Sequence, residues 1–153
     1  MKSFVSFFAI SFFLIHAAHA QLPVTNGLQV WLDASTLTVA GAAGQWDDIS
    51  GNNKHGVQPT PASQPAVVLN QLNNMPVMRF DGTDDYFSVP LDINPAVMPD
   101  ITIFCVFVAD SFGPQRGGKL FSHDDGGYDR TIGFDFRATG GNNFSAFTGS
   151  YVK

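Results

Sequence analysis

Three clusters of aspartate and asparagine are the residues of this sequence best suited to chemistry. Hard cations such as Ca²⁺ take six to eight oxygen ligands from carboxylates, side-chain amides and backbone carbonyls. None of the clusters matches the twelve-residue EF-hand loop, which ends in a glutamate. The clusters predict Ca²⁺ sites, and the alternative is that the same side chains close tight turns without metal. The candidate metal ligands are Asp47, Asp48 and Asn52 in the first cluster and Asp81, Asp84 and Asp85 in the second.

The third cluster surrounds a tyrosine and is the best candidate for a sugar site. Glycan-binding sites combine aromatic faces, which contact sugar C–H groups, with polar planar side chains that bind the hydroxyls. Tyr128 stands among acidic residues and close to Arg130, and Phe112 is a second loop aromatic. The candidate ligand-binding residues are therefore Tyr128, Asp124, Asp125, Asp129, Arg130 and Phe112.

The sequence contains no recognisable catalytic constellation. Ser122, His123 and Asp124 are of the types found in hydrolase triads, but a triad is assembled from distant positions. There is no G-x-S-x-G and no H-E-x-x-H motif. His55 and His123 stand beside turn residues and are expected to be solvated loop histidines. We therefore expect a protein that is not an enzyme.

Composition excludes several other classes. The 153 residues carry 8 Lys and Arg against 13 acidic residues, a formal net charge of −5, and every acidic residue is Asp. Nucleic-acid-binding proteins need a basic face, which this acidic composition does not favour. Long helices favour Glu and Lys, so the composition also argues against an extended helical protein. The hydrophobic content of 44% is too high for a disordered chain.

The N-terminus has the pattern of a secretory signal peptide at residues 1–20. Lys2 precedes an apolar stretch at 4–15 and an A-x-A cleavage site at Ala18-His19-Ala20, and this stretch is too short to span ~30 Å of bilayer. Cleavage leaves residues 21–153 as one domain without a membrane span, in the extracellular space, on the cell surface or in a periplasm.

The single cysteine, Cys105, lies in the apolar run 101–109 and is expected to be buried and inert.

Short β-branched and aromatic runs separated by Gly, Pro, Asn and Asp predict an all-β fold. The run at 101–109 is largely apolar at both odd and even positions, as expected of a strand covered on both faces. In 131–137, Ile132, Phe134 and Phe136 alternate with other residues, which predicts one buried face. Many short strands favour two sheets packed face to face. The predicted strands are 28–33, 66–69, 77–80, 86–89, 101–109, 119–122, 131–137 and 144–151.

Four segments, in this order and spacing, resemble a known family. They are Gly27-Leu-Gln-Val-Trp-Leu-Asp-Ala34, Gln45-Trp-Asp-Asp-Ile-Ser-Gly-Asn-Asn-Lys-His-Gly56, Met75-Pro-Val-Met-Arg-Phe-Asp-Gly-Thr-Asp-Asp-Tyr-Phe87 and Asp100-Ile-Thr-Ile-Phe-Cys-Val-Phe107. Together they are similar to the laminin G-like and pentraxin-like jelly rolls of the concanavalin A-like lectin/glucanase superfamily. The resemblance implies a two-sheet antiparallel β-sandwich, in which Ca²⁺ is a common ligand. Trp31 and Trp46 are expected in its core, since large aromatic residues are highly buried on average.

The resemblance also separates this chain from the hydrolases of that superfamily. Those enzymes carry a pair of glutamates on one strand, as retaining glycoside hydrolysis requires two carboxyls, and this chain has no glutamate. Family members continue with further strands, so we expect a sandwich that is incomplete at its C-terminal end and is completed by a longer polypeptide or a partner.

The sequence thus predicts a secreted, non-catalytic module that recognises carbohydrate or another extracellular ligand in a Ca²⁺-dependent way. One alternative is a structural spacer or adhesion domain of a larger surface protein. The other is a fragment of a glycan-active enzyme whose catalytic residues lie beyond Lys153. We expect a glycan or an extracellular matrix or surface ligand as partner, and no nucleic acid.

Overall fold

The computed structural model describes residues 25–109, 118–123, 130–135 and 143–148. The regular structure in these ranges consists of strands and two single turns of 3₁₀ helix, and each strand pairing is antiparallel. This part of the chain is therefore all-β, which confirms the predicted fold class at that level. The strands are β1 (Gly41–Ala42), β2 (Gln45–Trp46), β3 (Gly56–Val57), β4 (Ala66–Leu72), β5 (Met75–Arg79), β6 (Lys119–Ser122), β7 (Arg130–Asp135) and β8 (Asn143–Thr148), and the 3₁₀ turns are Ala34–Thr36 and Pro61–Ser63.

The first sheet has the order β1-β4-β5 and is built on a tight hairpin. Leu72 pairs with Met75, so the loop consists of Asn73 and Asn74, whose φ angles are 50° and 62°. Two-residue hairpin loops with a type I′ turn need positive φ at both positions, which asparagine tolerates better than most non-glycine residues. Asn70 also has a positive φ (56°) and lies where the register of the two strands shifts. Asparagines therefore shape both irregular points of the hairpin.

A small aromatic cluster packs over the two-stranded sheet β2-β3. The ring centroid of Phe87 lies 6.1 Å from that of Trp46 and 6.1 Å from that of Phe80, the second pair edge to face. Gly56, opposite Trp46 in the sheet, is buried, and a Cβ there would lie 3.2 Å from the Cβ of Phe87. A glycine at this position therefore lets the Phe87 ring pack directly on the β3 backbone.

The second three-stranded sheet has the order β6-β7-β8 and is tied to the segment 92–99 at one end. Arg130 is only 8% exposed, and its Nη2 donates to the carbonyl oxygen of Pro99 (2.6 Å). Next to it, Nε2 of His123 lies 3.4 Å from Oδ1 of Asp92. His123 is half-buried, so the expectation of a solvated loop histidine is wrong at this position.

Five of the predicted strands are confirmed, with some change in their bounds. The predictions at 66–69, 77–80, 131–137 and 144–151 correspond to β4, β5, β7 and β8, and 119–122 has the same bounds as β6. Residues 136–137 and 149–151 of two of these predictions lie outside the described residues. The predicted alternation in β7 is wrong at its start, because Thr131 and Gly133 are buried while Ile132 is half-buried. A Cβ at Gly133 would lie 3.1 Å from the backbone of Lys119, so the close approach of β6 buries that face.

Two predicted strands, 28–33 and 86–89, are wrong as strands. Each contributes one residue to an isolated bridge, Leu32 to Asp48 and Ser88 to Val57. At Trp31 the carbonyl oxygen accepts from the Ile49 N–H (2.9 Å), but the amide donates to the Asp48 side chain at Oδ1 (2.8 Å), so no regular strand ladder forms. The two-residue strands β1, β2 and β3 lie outside every predicted strand, because they are too short to show a period in the sequence.

The predicted central strand 101–109 is also wrong in the described part of the chain. None of its residues pairs in a sheet, and the exposed fractions of Phe104 and Val106 are 93% and 97%. A strand covered on both faces requires neighbouring strands and a second layer, and no described residue supplies them here. Cys105 is exposed as well, so its predicted burial is wrong.

Trp31 and Trp46 are half-buried and not fully in a core. No helix among the described residues has the length and apolarity needed to cross a membrane. The predicted signal peptide, residues 1–20, lies outside the described residues.

Candidate functional site

The loop after β5 holds the second aspartate cluster in a tight turn. Oδ1 of Asp81 accepts hydrogen bonds from the backbone N–H groups of Thr83 (2.7 Å) and Asp84 (3.3 Å). Gly82, which lies between Asp81 and Thr83, has a φ of 76°. Oδ2 of Asp85 accepts from the N–H of Asp81 (2.8 Å) and closes the loop. The loop is thus shaped by its own carboxylates, as expected of Asx-type turns.

The same turn brings three carboxylates together. One ligand atom from each of Asp81, Asp84 and Asp85 lies within 4.8 Å of the others, and among the described residues this is the one group of three His, Cys, Asp or Glu side chains with this property. Ligands on opposite sides of a Ca²⁺ ion are about 5 Å apart, given Ca–O distances of about 2.3–2.6 Å. The spacing therefore fits three of the six to eight oxygens that Ca²⁺ takes.

The hydrogen bonds of the loop leave part of each carboxylate available. Asp84 Oδ2 accepts from the Ser63 hydroxyl (2.9 Å), so each of the three aspartates uses one oxygen for described donors. The N–H of Thr83 is the main cause that lowers the pKa of Asp81 below its usual value. A cation at this exposed loop would meet three carboxylates whose positions are already fixed by hydrogen bonds within the loop.

The first cluster is organised differently, around the buried carboxylate of Asp48, which is 7% exposed. Its Oδ1 accepts from the N–H groups of Trp31 (2.8 Å) and Ser50 (2.9 Å), and its Oδ2 accepts from the N–H of Lys54 (2.9 Å) and the hydroxyl of Ser50 (2.9 Å). Burial alone would raise the pKa of Asp48, but these hydrogen bonds lower it to about 2. Both oxygens are thus occupied by protein donors that fix the loop 48–54 to the 28–32 segment.

The other two candidate ligands of this cluster also make protein contacts. The Asn52 amide donates to the carbonyl oxygens of Leu28 (2.8 Å) and Gln29 (3.1 Å). Oδ1 of Asp47 accepts from the Gln45 side chain (2.6 Å). The turn-forming alternative therefore accounts for Asp48 and Asn52 through hydrogen bonds that are present, and a metal at this cluster stays a prediction.

Of the predicted sugar site, only Arg130 lies in the described part of the chain. Its guanidinium is buried, with Nη2 on the Pro99 carbonyl and no hydrogen-bond partner at Nη1. The other candidates, Tyr128, Asp124, Asp125, Asp129 and Phe112, fall outside the described residues. Within the described residues, the side chain of Arg130 therefore joins β7 to the 92–99 segment.

Two polar residues, His55 and Gln58, have structural roles beside these loops that the sequence did not predict. His55, expected to be solvated, is half-buried, and its Nδ1 accepts from the backbone N–H of Asp48 (3.0 Å). Gln58 is fully buried; its side chain donates to the carbonyl of Tyr86 (3.2 Å) and accepts from the N–H of Thr60 (3.0 Å). A lone glutamine or histidine carries no sequence signal for such a role.

Comparisons of this chain with protein-family models, with curated proteins and with solved structures found no match.

Proposed function

We propose that this chain is a secreted, non-catalytic recognition module that binds carbohydrate outside the cell and holds Ca²⁺ at Asp81, Asp84 and Asp85. The observation that carries the proposal is the spacing of these three carboxylates, within 4.8 Å of one another on an exposed loop. Ions in such loops commonly order the neighbouring segments. The loop leads directly into the 86–88 segment, which bonds to both Gln58 and Val57.

The proposal includes a two-sheet jelly roll of which the described sheets are parts. Its support is the antiparallel pairing throughout and the apolar surface left uncovered at the predicted central strand. Val108 is 75% exposed, in addition to Phe104 and Val106. Contiguous apolar surface of this kind is normally covered by further strands or by a partner.

Thermal unfolding in CaCl₂ and in EDTA tests the cation site. A Ca²⁺ concentration 100-fold above the Kd stabilises the folded state by about 2.7 kcal/mol, which raises the Tm by roughly 10 °C for a chain of this size. The variant Asp84→Asn keeps an oxygen for the Ser63 hydroxyl but removes one charge from the cluster, so its Ca²⁺-dependent shift should fall to near zero.

Asp100→Asn is the matched control, because Asp100 is an exposed aspartate outside the cluster. It should keep the full shift. Equal melting temperatures in CaCl₂ and EDTA for the wild-type chain would contradict the cation site and would favour the structural spacer.

A further inference from the structure

A shallow open groove lies between the end of the 48–57 loop and the 88–90 segment. It has a volume of about 210 Å³ and is lined by Asn53, His55, Val57, Ser88 and Pro90. Val57 and Ser88 hold the two walls together, because the N–H of Val57 donates to the Ser88 carbonyl (2.8 Å) and the N–H of Ser88 donates to the Val57 carbonyl (2.9 Å). The groove is therefore preformed by backbone hydrogen bonds.

The imidazole of His55 is held in one orientation at this groove. Its Nδ1 accepts the hydrogen bond from the Asp48 N–H (3.0 Å) and lies 3.6 Å from Oδ1 of Asp47, so in the neutral ring the proton, and with it the ring's N–H donor, is on Nε2. The Asp48 backbone is itself fixed by the four hydrogen bonds that its carboxylate accepts. The orientation of the donor thus depends on the most densely bonded loop of the described chain.

The lining is mainly apolar and includes three polar side chains, so it favours an uncharged ligand with a large apolar face and a few polar groups. Val57 is 40% exposed and, with Pro90, supplies an apolar surface, while Asn53, Ser88 and the imidazole supply polar groups. None of the five has a permanent charge. The nearby Lys54 ammonium is engaged by the Gln29 side chain (2.7 Å).

The size of the groove limits the ligand to one ring. Sites for drug-sized ligands usually measure about 300–1,000 Å³, so the groove accommodates less than such a ligand and one small ring at most. A pyranose presents C–H groups on its faces and hydroxyls around its rim, which matches apolar walls with polar groups between them.

We propose that this groove binds one neutral pyranose ring of a glycan, with its C–H face on Val57 and Pro90 and a hydroxyl accepting from His55 Nε2–H. The inference rests on the proposed recognition function and names the part of the surface that performs it. A single ring with few contacts should bind weakly, with a Kd on the order of 1 mM.

The test is NMR titration of the ¹⁵N-labelled mature chain with the methyl glycosides of glucose, galactose, mannose and N-acetylglucosamine, and with methyl glucuronide as the charged comparison. We expect at least one neutral glycoside to shift the signals of His55, Val57 and Ser88 in a saturable way. Ser88→Trp fills the groove and should weaken this binding at least tenfold. Pro90→Trp is a second blocking variant in case the first does not fold.

The matched control is Val39→Trp, which adds the same ring at a residue that is 77% exposed and outside the groove lining. It should bind as the wild type does. If a neutral glycoside binds but both blocking variants bind equally well, the groove assignment is wrong while the recognition function stands. If methyl glucuronide alone binds, the neutral-ligand assignment is wrong. If no glycoside binds and a glycan array is also negative, the proposed function itself fails.

Discussion

Replacement of Asp48 by asparagine should be among the most destabilising single changes of a polar residue in the described chain. The carboxylate accepts four hydrogen bonds in a site where it is 7% exposed. The amide of Asp48→Asn has one oxygen, so its NH₂ group would face either the Lys54 N–H and Ser50 hydroxyl or the other pair of donors. A buried donor without an acceptor costs about 1–3 kcal/mol, and hydrogen bonds to a charged acceptor are worth about 1.5–3 kcal/mol each.

These terms predict a loss of about 3 kcal/mol in the free energy of unfolding at neutral pH. The lowered pKa of Asp48 reflects the same hydrogen bonds and gives a similar magnitude. A fall from 3.8 to about 2 corresponds to about 2 kcal/mol of stability that depends on the ionised carboxylate. Because the folded-state pKa is the lower one, this stability is present above the unfolded pKa and is lost as the pH falls from about 5 to about 2.

The assay is urea unfolding of the wild type and of Asp48→Asn between pH 7 and pH 2. The wild type should lose about 2 kcal/mol more than the variant over the acid range, since the variant has no carboxylate to protonate at this position. Asp47→Asn is the matched control, because Asp47 is exposed and accepts a side-chain hydrogen bond from Gln45. If Asp48→Asn and Asp47→Asn unfold at the same urea concentration, Asp48 does not anchor the loop.

Three further changes test the packing. Gly56→Ala should cost about 1–3 kcal/mol in urea unfolding, because its Cβ would lie 3.2 Å from that of Phe87; a neutral result would contradict the tight contact. Gln58→Ala leaves the Thr60 N–H and the Tyr86 carbonyl without their partner and should cost about 2–4 kcal/mol; a change below ~0.5 kcal/mol would refute that role. Val106→Lys should raise the concentration at which the chain begins to aggregate in light scattering, since Val106 is 97% exposed; an unchanged onset would show that this surface is covered in solution.

Local sequence signals predicted the all-β class because strands with neighbours close in sequence leave a clear pattern. β4 and β5 follow each other in sequence and pair across the two-residue loop Asn73-Asn74. β6 and β7 also follow each other in sequence and pair directly. In such cases the partner of a strand is its neighbour in the chain, and no long-range information is needed.

The errors occurred where a run of strand-forming residues has no neighbouring strand among the residues that the structure describes. Residues 101–109 have high β-propensity, but propensity describes how a residue fits a pleated surface and does not supply the partner strand. At 28–33 a single backbone bridge, Leu32 to Asp48, is supplemented by hydrogen bonds from the side chains of Asp48 and Asn52, and these take the place of a longer strand ladder. Neither outcome can be read from the residues of the strand itself.

The sequence predicted which residues are candidates for the site, but it did not predict how their side chains are arranged. The spacing of Asp81, Asp84 and Asp85 already suggested oxygen ligands in a turn, and the structure brings them within 4.8 Å. Asp48 had the same signal, yet its carboxylate is buried among four donors, two of them from Trp31 and Lys54. The difference depends on which backbone N–H groups surround each aspartate, and this follows from the path of the chain.

The measurement that tests the central claim most directly is binding of residues 21–153 to a glycan array. The array is probed in Ca²⁺ at a concentration on the order of 1 mM and again in EDTA, with the Asp84→Asn variant beside the wild type. The account predicts that the wild type binds at least one class of neutral glycan in Ca²⁺, and that EDTA or Asp84→Asn reduces this binding at least tenfold. A folded wild-type chain that binds no glycan in Ca²⁺, or that binds equally in EDTA, would contradict it.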